Sequence, residues 1–222
     1  MAIAPGVASR ARLSLGSAND AIHAMVERLL TQAGATGTLV DVGCGTGDLW
    51  RRVRQHFGRA IGLDAVRYEG LPEEVAFSAA DLDATLPIAD GLADVAVAVE
   101  VIEHLENPRA FVRELARITR PGGLIVITTP NQLSALSLLT LALKGQFSAF
   151  QGRDYPAHRT ALLEVDLRRI AAECGVNEIR IEYSCRGRLP LTPWHYPGPI
   201  AALAPRWCSD NVALMGRCGS HS

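Results

Sequence analysis

Three alternate glycines after a short apolar segment constrain this chain more than any other feature. Residues 38–42 have the composition of a buried strand, and Gly43, Gly45 and Gly47 follow before a helical pattern begins at Asp48. Glycine is needed where a chain turns sharply or where a ligand lies against bare backbone, and a helix that begins there presents unpaired N–H groups. The pattern predicts a strand–turn–helix unit that binds a cofactor containing a nucleoside.

An acidic residue near the end of the strand narrows the choice of cofactor. Asp41 lies two residues before Gly43, and a carboxylate there suits an ammonium group better than a diphosphate. A dinucleotide-binding turn has glycines in the pattern G-x-G-x-x-G, whereas this chain has G-x-G-x-G. The residues therefore favour S-adenosylmethionine (SAM) over a nicotinamide dinucleotide.

This first motif resembles that of the class I SAM-dependent methyltransferases, in which an acidic residue and one spacer precede G-x-G-x-G. The resemblance implies that the cofactor contacts Asp41, Gly43, Cys44, Gly45 and Gly47. A tight turn without a ligand is the alternative interpretation of the glycines alone.

Further candidate cofactor residues follow in the order that this family has them. One strand ends at Asp64, beside Ala65, where the family binds ribose hydroxyls. Asp81 and Leu82 resemble the family's adenine site, and Glu100 ends the next apolar strand. On its own, Asp81 would be interpreted as a turn residue.

The resemblance covers residues 38–131 and implies a Rossmann-like α/β fold. Expected are a seven-stranded sheet in the order 3-2-1-4-5-7-6 with the last strand antiparallel, helices on both faces, and a helical insertion after strand 5. Residues 120–123 (R-P-G-G) resemble the family's motif between a helix and the strand at 124–128. Only residues 65–74 connect the strand that ends at Asp64 to the next strand, so a crossover helix in this connection must be short or absent.

The length of 222 residues and 48% hydrophobic content predict a single domain. Within it we expect an N-terminal segment and helix (1–34), a cofactor-binding core (35–131), an insertion (132–159), and a C-terminal helix with two strands (160–222). Hydrophobic periodicity places helices at 19–33 and 160–174, and the last two strands at 178–183 and 212–215.

The insertion at 132–159 contains six leucines and an aromatic stretch. It follows a strand at the edge where open α/β sheets bind ligands. We interpret it as a substrate lid, with peripheral membrane contact for a lipophilic acceptor. The alternatives are a helix that packs on the core and a dimer contact. A second aromatic group, at 194–196 and Trp207, is a candidate for completing the acceptor pocket.

His104 and His158 are the candidate catalytic bases, because an imidazole titrates near working pH. A base is needed only if the acceptor loses a proton, and a structural role is the alternative for each histidine.

Glu100, Glu103 and His104 form a candidate divalent-metal site. At positions i, i+3 and i+4, a helical segment would place these three side chains on one face. The E-x-x-E-H segment resembles that of the ubiquinone-pathway O-methyltransferases, some of which use a divalent metal. Helix capping and cofactor packing are the alternative roles.

Composition indicates which binding partners and which cellular compartment to expect. The net charge of −1 offers no field that attracts nucleic acid. Five cysteines without a C-x-x-C pair indicate neither a disulfide framework nor a zinc site, and no apolar run reaches the roughly 18 residues of a membrane span. We expect a cytoplasmic monomer or homodimer.

The resemblance is nearest to the ubiquinone- and menaquinone-pathway type of small-molecule methyltransferase. It implies methyl transfer from SAM to a small or lipid-like acceptor, with a hydroxyl oxygen favoured. Two alternatives stay open: a SAM-binding partner protein without activity, and an NAD-dependent oxidoreductase.

Overall fold

The computed structural model describes residues 6, 7, 9 and 16–219. Its strands form one mixed sheet in the order β3-β2-β1-β4-β5-β7-β6. The strands are β1 (Gly37–Val42), β2 (Phe57–Asp64), β3 (Val75–Ala79), β4 (Ala93–Ala98), β5 (Thr119–Pro130), β6 (Val176–Tyr183) and β7 (Asn211–Cys218). Strands β1 to β5 pair in parallel, and β7 is antiparallel to both β5 and β6. The predicted order and the antiparallel last strand are confirmed.

Helices cover both faces of this sheet. They are α1 (Asp20–Gln32), α2 (Asp48–Val53), α3 (Pro108–Ile118), α4 (Ala135–Lys144), α5 (Glu164–Glu173) and α6 (Gly198–Leu203), with 3-10 turns at Arg54–His56, Ile102–His104 and Gly152–Asp154. Asn19 caps α1 by accepting a hydrogen bond from the Ala21 N–H at 3.0 Å, and Asn107 caps α3 in the same way. None of the helices in the described part of the chain is long and apolar enough to cross a membrane.

Alternation along β1 divides the core into two layers. Leu39 packs in a cluster with Met25 of α1, whereas its neighbour Val40 packs in a cluster with Phe111 of α3. All four side chains are almost completely buried. Successive residues of a strand point to opposite faces, so the apolar run at the centre of the sheet supplies both layers.

Three boundaries differ from or refine the sequence-based expectations. β5 begins at Thr119, because that residue already pairs with Ala93 of β4, so the R-P-G-G segment belongs to the strand. α5 begins at Glu164, four residues later than the periodicity predicts, because the backbone is still extended at Leu163, with φ −89° and ψ 162°. No helix lies between β2 and β3, where the short connection excluded a long one.

Candidate active site

A cleft of about 1020 Å³ opens at the carboxyl ends of the parallel strands. It lies between the neighbouring strands β1 and β4. Strands β2 and β3 follow on one side of β1 and strands β4 and β5 on the other, and open α/β sheets bind ligands at such a switch point. Its cofactor half is formed by the ends of β1, β2 and β4, the loop after β3, the start of α2, and residues between 16 and 23. Its outer half, as the term is used below, is formed by 148–158 and by Arg186, Arg188, His195 and Asp210.

The glycine turn is shaped by the chain's own packing. Gly43, Gly45 and Gly47 have φ of 84°, 49° and 79°, in the left-handed region that favours glycine. A Cβ on Gly43 would lie 2.3 Å from the Val101 side chain, and one on Gly45 would lie 2.0 Å from the Gly16 carbonyl oxygen. The turn therefore requires glycine whether or not a ligand is bound.

Not every predicted cofactor residue lines the cleft. Eight of the ten do: Asp41, Gly43, Cys44, Asp64, Ala65, Asp81, Leu82 and Glu100. Gly45 and Gly47 are not among the described lining residues; the first lies against Gly16 and the second against Pro72. Burial raises the pKa of the Cys44 thiol, which is a poor nucleophile in that state.

Two buried carboxylates lie at the base of the cofactor half. Asp41 is 5% exposed, and burial, reinforced by the charge of Asp64, raises the pKa of Asp41 to about 7. Asp64 accepts hydrogen bonds from the N–H groups of Gly45 at 3.1 Å and Ala65 at 2.7 Å. Burial raises the pKa of Asp64 too, while these N–H groups lower it. An ammonium group near Asp41 would favour the ionised carboxylate.

Asp81 has the turn role considered for it, and its side chain also lines the cleft. Its Oδ1 accepts a hydrogen bond from the Asp83 N–H at 3.1 Å, which forms a local turn. Both residues also line the cleft, so the turn holds a carboxylate beside the predicted adenine position.

Glu100 is held in place by side chains from two strands, β5 and β7. Thr128 donates from its hydroxyl to Glu100 Oε1 at 2.8 Å, and Asn211 donates from Nδ2 to Oε2 at 2.7 Å. Glu100 also has a φ of 53°, which is uncommon for a residue other than glycine. Burial, followed by the charge of Glu103, raises the pKa of its carboxyl.

His104 and His158 meet in the cleft, although 53 residues separate them. Their ring centroids are 4.8 Å apart in an edge-on arrangement. The Glu103 carbonyl accepts hydrogen bonds from the N–H groups of Arg159 and Thr160, which fixes the end of the insertion beside the 3-10 turn that carries His104. His104 Nδ1 lies 2.9 Å from the Ala157 carbonyl oxygen, and His158 Nδ1 contacts the Ala149 carbonyl oxygen.

Both imidazoles are neutral near pH 7. Burial lowers the pKa of His104, and burial and the neighbouring His104 lower the pKa of His158, despite the carbonyls that raise both. Because a carbonyl only accepts, each ring carries its proton on Nδ1.

Glu103 completes a cluster with the two histidines. It is 1% exposed; its Oε2 accepts from the Thr129 hydroxyl at 3.1 Å, while its Oε1 is buried without a partner among the described residues. Burial raises the pKa of Glu103 to about 8. One ligand atom from each of Glu103, His104 and His158 lies within 4.8 Å of the others. This set differs from the predicted one, because His158 replaces Glu100, whose oxygens bind Thr128 and Asn211.

The sequence analysis placed residues 132–159 and His195 near the acceptor, but it missed the arginines of the outer half. Arg153, Arg186 and Arg188 line it, as does His195 from the predicted aromatic group. Trp194 and Trp207 of that group are 70% and 53% exposed and are absent from the described lining. For the contacts that hold Glu100 and Glu103, the sequence contains one visible signal: two threonines, at 128 and 129, follow the apolar run of β5.

Comparison with known proteins agrees with this geometry. A family model described as a methyltransferase domain matches residues 16–179. The malonyl-[acyl-carrier protein] O-methyltransferase of Hahella chejuensis is 28% identical over 66% of this chain and 53% of its own length. The 23S rRNA (guanine(748)-N(1))-methyltransferase of Streptomyces fradiae is 32% identical over 73% of this chain and 58% of its own length. The chain thus spans about half the length of the curated relatives it matches.

A solved structure shows the same fold. A SAM-dependent methyltransferase from Archaeoglobus fulgidus superposes with a TM-score of 0.61 at 16% identity, over 88% of this chain and 94% of that one.

The residues present fit SAM as the cofactor. Seven acidic side chains face the cofactor half, which suits a ligand with an ammonium and a sulfonium group: Asp41, Asp48, Asp64, Asp81, Asp83, Glu100 and Glu103. Among the described lining residues, this half contains neither lysine nor arginine. The positive groups of SAM would favour the ionised forms of these acids, whereas a dinucleotide diphosphate would meet like charge wherever they are ionised. With the family match over residues 16–179, the conclusion is that this chain belongs to the class I SAM-dependent methyltransferases.

Proposed function

We propose that this protein methylates a hydroxyl oxygen of a small, lipid-like acceptor that binds in the outer half of the cleft. SAM, when bound, supplies an electrophilic sulfonium methyl group. The protein must hold the acceptor oxygen in line with that methyl at near-attack distance and remove the hydroxyl proton. The observation that carries the proposal is the pair of neutral histidines at the boundary between the two halves of the cleft.

His158 is the candidate base with the clearest geometry. Its Nδ1–H donates to the Ala149 carbonyl, so the lone pair is on Nε2. Its lowered pKa keeps this nitrogen unprotonated near pH 7. His104 is oriented in a similar way by Ala157, and its ring contact with His158 supports both side chains. General-base removal of a hydroxyl proton contributes typically about 100-fold or more to a rate.

Exposed apolar surface supports a lipophilic acceptor. Of the large apolar side chains that are exposed in the described residues, all but Val165 lie in segments 141–155 and 191–207: Leu141, Leu143, Tyr155, Leu191, Trp194, Ile200, Leu203 and Trp207. The helix that carries Leu141 and Leu143 begins beside the end of the second segment, because the Ala135 N–H donates to the Trp207 carbonyl. We propose that residues 132–159 act as a lid that contacts an acceptor or a membrane surface.

A divalent metal is a second proposal for the same cluster. Glu103, His104 and His158 offer a donor set of one carboxylate and two imidazoles, which suits a transition metal or zinc. Glu103 Oε1 has no partner among the described residues. Isothermal titration with Zn²⁺ and Mg²⁺ tests it. Binding that Glu103→Gln abolishes would support the metal, whereas no heat with either ion would reject it.

A methyl-transfer assay tests the function directly. The purified chain is incubated with methyl-labelled SAM and, separately, with a panel of phenols and quinols, a panel of amines, and ribosomal RNA. Label in a phenol or quinol, lost in His158→Asn and retained in His56→Asn, supports the proposal. Label only in amines or RNA contradicts oxygen transfer to a small acceptor. Cofactor binding without any product would favour the inactive partner protein.

A further inference from the structure

The cleft is divided by charge. Its acidic side chains are concentrated in the cofactor half, and its arginines are confined to the outer half: Arg153, Arg186 and Arg188. The outer half contains two acids among the described lining residues, Asp154 and Asp210. A cation in one half and an anion in the other would each meet opposite charge.

Both acids of the outer half are already engaged. Asp210 Oδ2 lies 3.0 Å from Arg188 Nε. Asp154 Oδ2 accepts from the Gln151 N–H at 2.8 Å, and its Oδ1 is 3.7 Å from Arg153 Nε. Within residues 16–219, no carboxylate pairs with Arg186, which is exposed at the cleft. The outer half therefore has a net positive charge.

The loop that carries Arg186 and Arg188 is held in a defined position. The Cys185 N–H donates to the Ser209 hydroxyl at 2.8 Å. A Cβ on Gly187 would lie 2.6 Å from the Cys208 carbonyl oxygen, so the loop backbone packs closely against residues 208–209. A short antiparallel bridge joins Arg188 to His195. The backbone that carries the two arginines is therefore positioned before a ligand arrives, which lowers the ordering cost of binding.

We propose that the outer half binds an anionic group of the acceptor, a carboxylate or a phosphate, through Arg186 and Arg188. This inference rests on the proposed function, because it assigns the charge of the acceptor that the methyl group reaches. The planar guanidinium donates in a fork that matches carboxylate and phosphate oxygens, and it does not lose its proton near neutral pH. An acceptor with an apolar body and an anionic group fits both the exposed apolar segments and these arginines.

Titration of the full chain loaded with S-adenosylhomocysteine tests the proposal. The probes are sodium benzoate, inorganic phosphate and, as the neutral counterpart of benzoate, benzamide, followed through backbone amide resonances. We expect saturable shifts in residues 184–197 with one or both anions and none with benzamide. Arg186→Gln/Arg188→Gln should weaken anion binding about tenfold or more. Arg59→Gln, an exposed arginine outside the cleft, should leave it unchanged.

The probes and variants distinguish the kinds of ligand that this site could bind. A preference for benzoate assigns a carboxylate, and a preference for phosphate assigns a phosphate ester. Equal shifts with benzamide, or unchanged anion binding in the double variant, would overturn the proposal. Weaker S-adenosylhomocysteine binding in the double variant would also overturn it, because the arginines would then serve the cofactor.

Tight binding of a single-stranded RNA oligonucleotide that the double variant loses would overturn the proposal in favour of a nucleic-acid surface. Methyl transfer to a nitrogen atom would contradict the proposed oxygen acceptor but would not contradict the anion site.

Discussion

The ring of His104 packs edge-on against the ring of His158, with the centroids 4.8 Å apart. One histidine follows the strand at the centre of the sheet, and the other ends the insertion after β5. Two N–H groups that donate to the Glu103 carbonyl hold the two segments together. The candidate base therefore comes from the insertion, while its position depends on the cofactor-binding core.

Removal of His158 should affect the chemical step and spare the cofactor. In His158→Ala we expect kcat with a hydroxyl acceptor to fall by about 100-fold or more, with S-adenosylhomocysteine affinity changed by less than about twofold. Steady-state kinetics and calorimetry measure the two quantities. The same change at His56, a half-buried histidine outside the cleft, serves as the control. Normal turnover in His158→Ala would show that this imidazole is not the base.

The carboxylate of Asp64 should contribute to cofactor binding. Asp64→Asn keeps the size of the side chain but removes its charge and one acceptor, so S-adenosylhomocysteine should bind about tenfold more weakly. Glu69→Gln, at an exposed acid outside the cleft, is the matched control. The thermal midpoint must be measured beside the affinity, because Asp64 also accepts from two backbone N–H groups. Equal affinity in a folded Asp64→Asn variant would refute the ribose assignment.

Cofactor affinity should rise with pH. Asp41 has a pKa of about 7 in the empty cleft, and only its ionised form attracts the ammonium group of the ligand. Between pH 6 and pH 8 the dissociation constant of S-adenosylhomocysteine should fall roughly tenfold, and binding at pH 6 should release a proton. Calorimetry in two buffers of different ionisation enthalpy detects this release. In Asp41→Asn the dependence should vanish; a persisting slope would assign it to another group.

The same raised pKa has an opposite effect on the empty protein. Between about pH 4 and pH 7 the folded chain keeps a proton on Asp41 that the unfolded chain has lost. The contribution of Asp41 to the free energy of unfolding therefore falls as pH rises through this window. Denaturant unfolding of the wild type and Asp41→Asn at pH 5 and pH 7 compares the two. Asp41→Asn should be the less pH-sensitive protein.

Replacement of Gly45 by alanine should lower the free energy of unfolding by more than its positive φ alone accounts for. Gly34 and Gly45 both have positive φ, but a Cβ on Gly34 would meet nothing within 4 Å, whereas one on Gly45 would lie 2.0 Å from the Gly16 carbonyl oxygen. Gly34→Ala should cost about 1 kcal/mol through its φ, and Gly45→Ala should cost more than about 2 kcal/mol. Chemical denaturation measures both. Similar losses would mean that the contact with Gly16 gives way freely.

Sequence patterns predict those parts of the fold that depend on local chemistry. The glycine turn and the acids near the ends of β1 and β2 follow from neighbours within a few residues. The sheet order came from the resemblance that these motifs support, and the structure confirms it.

The site's long-range contacts could not be predicted in this way. Asn211 reaches Glu100 across 111 residues, and Arg186 reaches the cleft through an irregular loop. Such contacts depend on how loops close on the sheet, for which hydrophobic periodicity carries no signal. Periodicity also placed the start of α5 too early, because Leu163 has the helical spacing from Leu167 although its backbone is extended.

Calorimetric titration with S-adenosylhomocysteine, with NADH in parallel, tests most directly that the acidic half of the cleft is a SAM site. We predict micromolar binding of S-adenosylhomocysteine, weakened in Asp64→Asn, and no heat from NADH. Binding of NADH by the folded protein, or no binding of S-adenosylhomocysteine, would contradict the account.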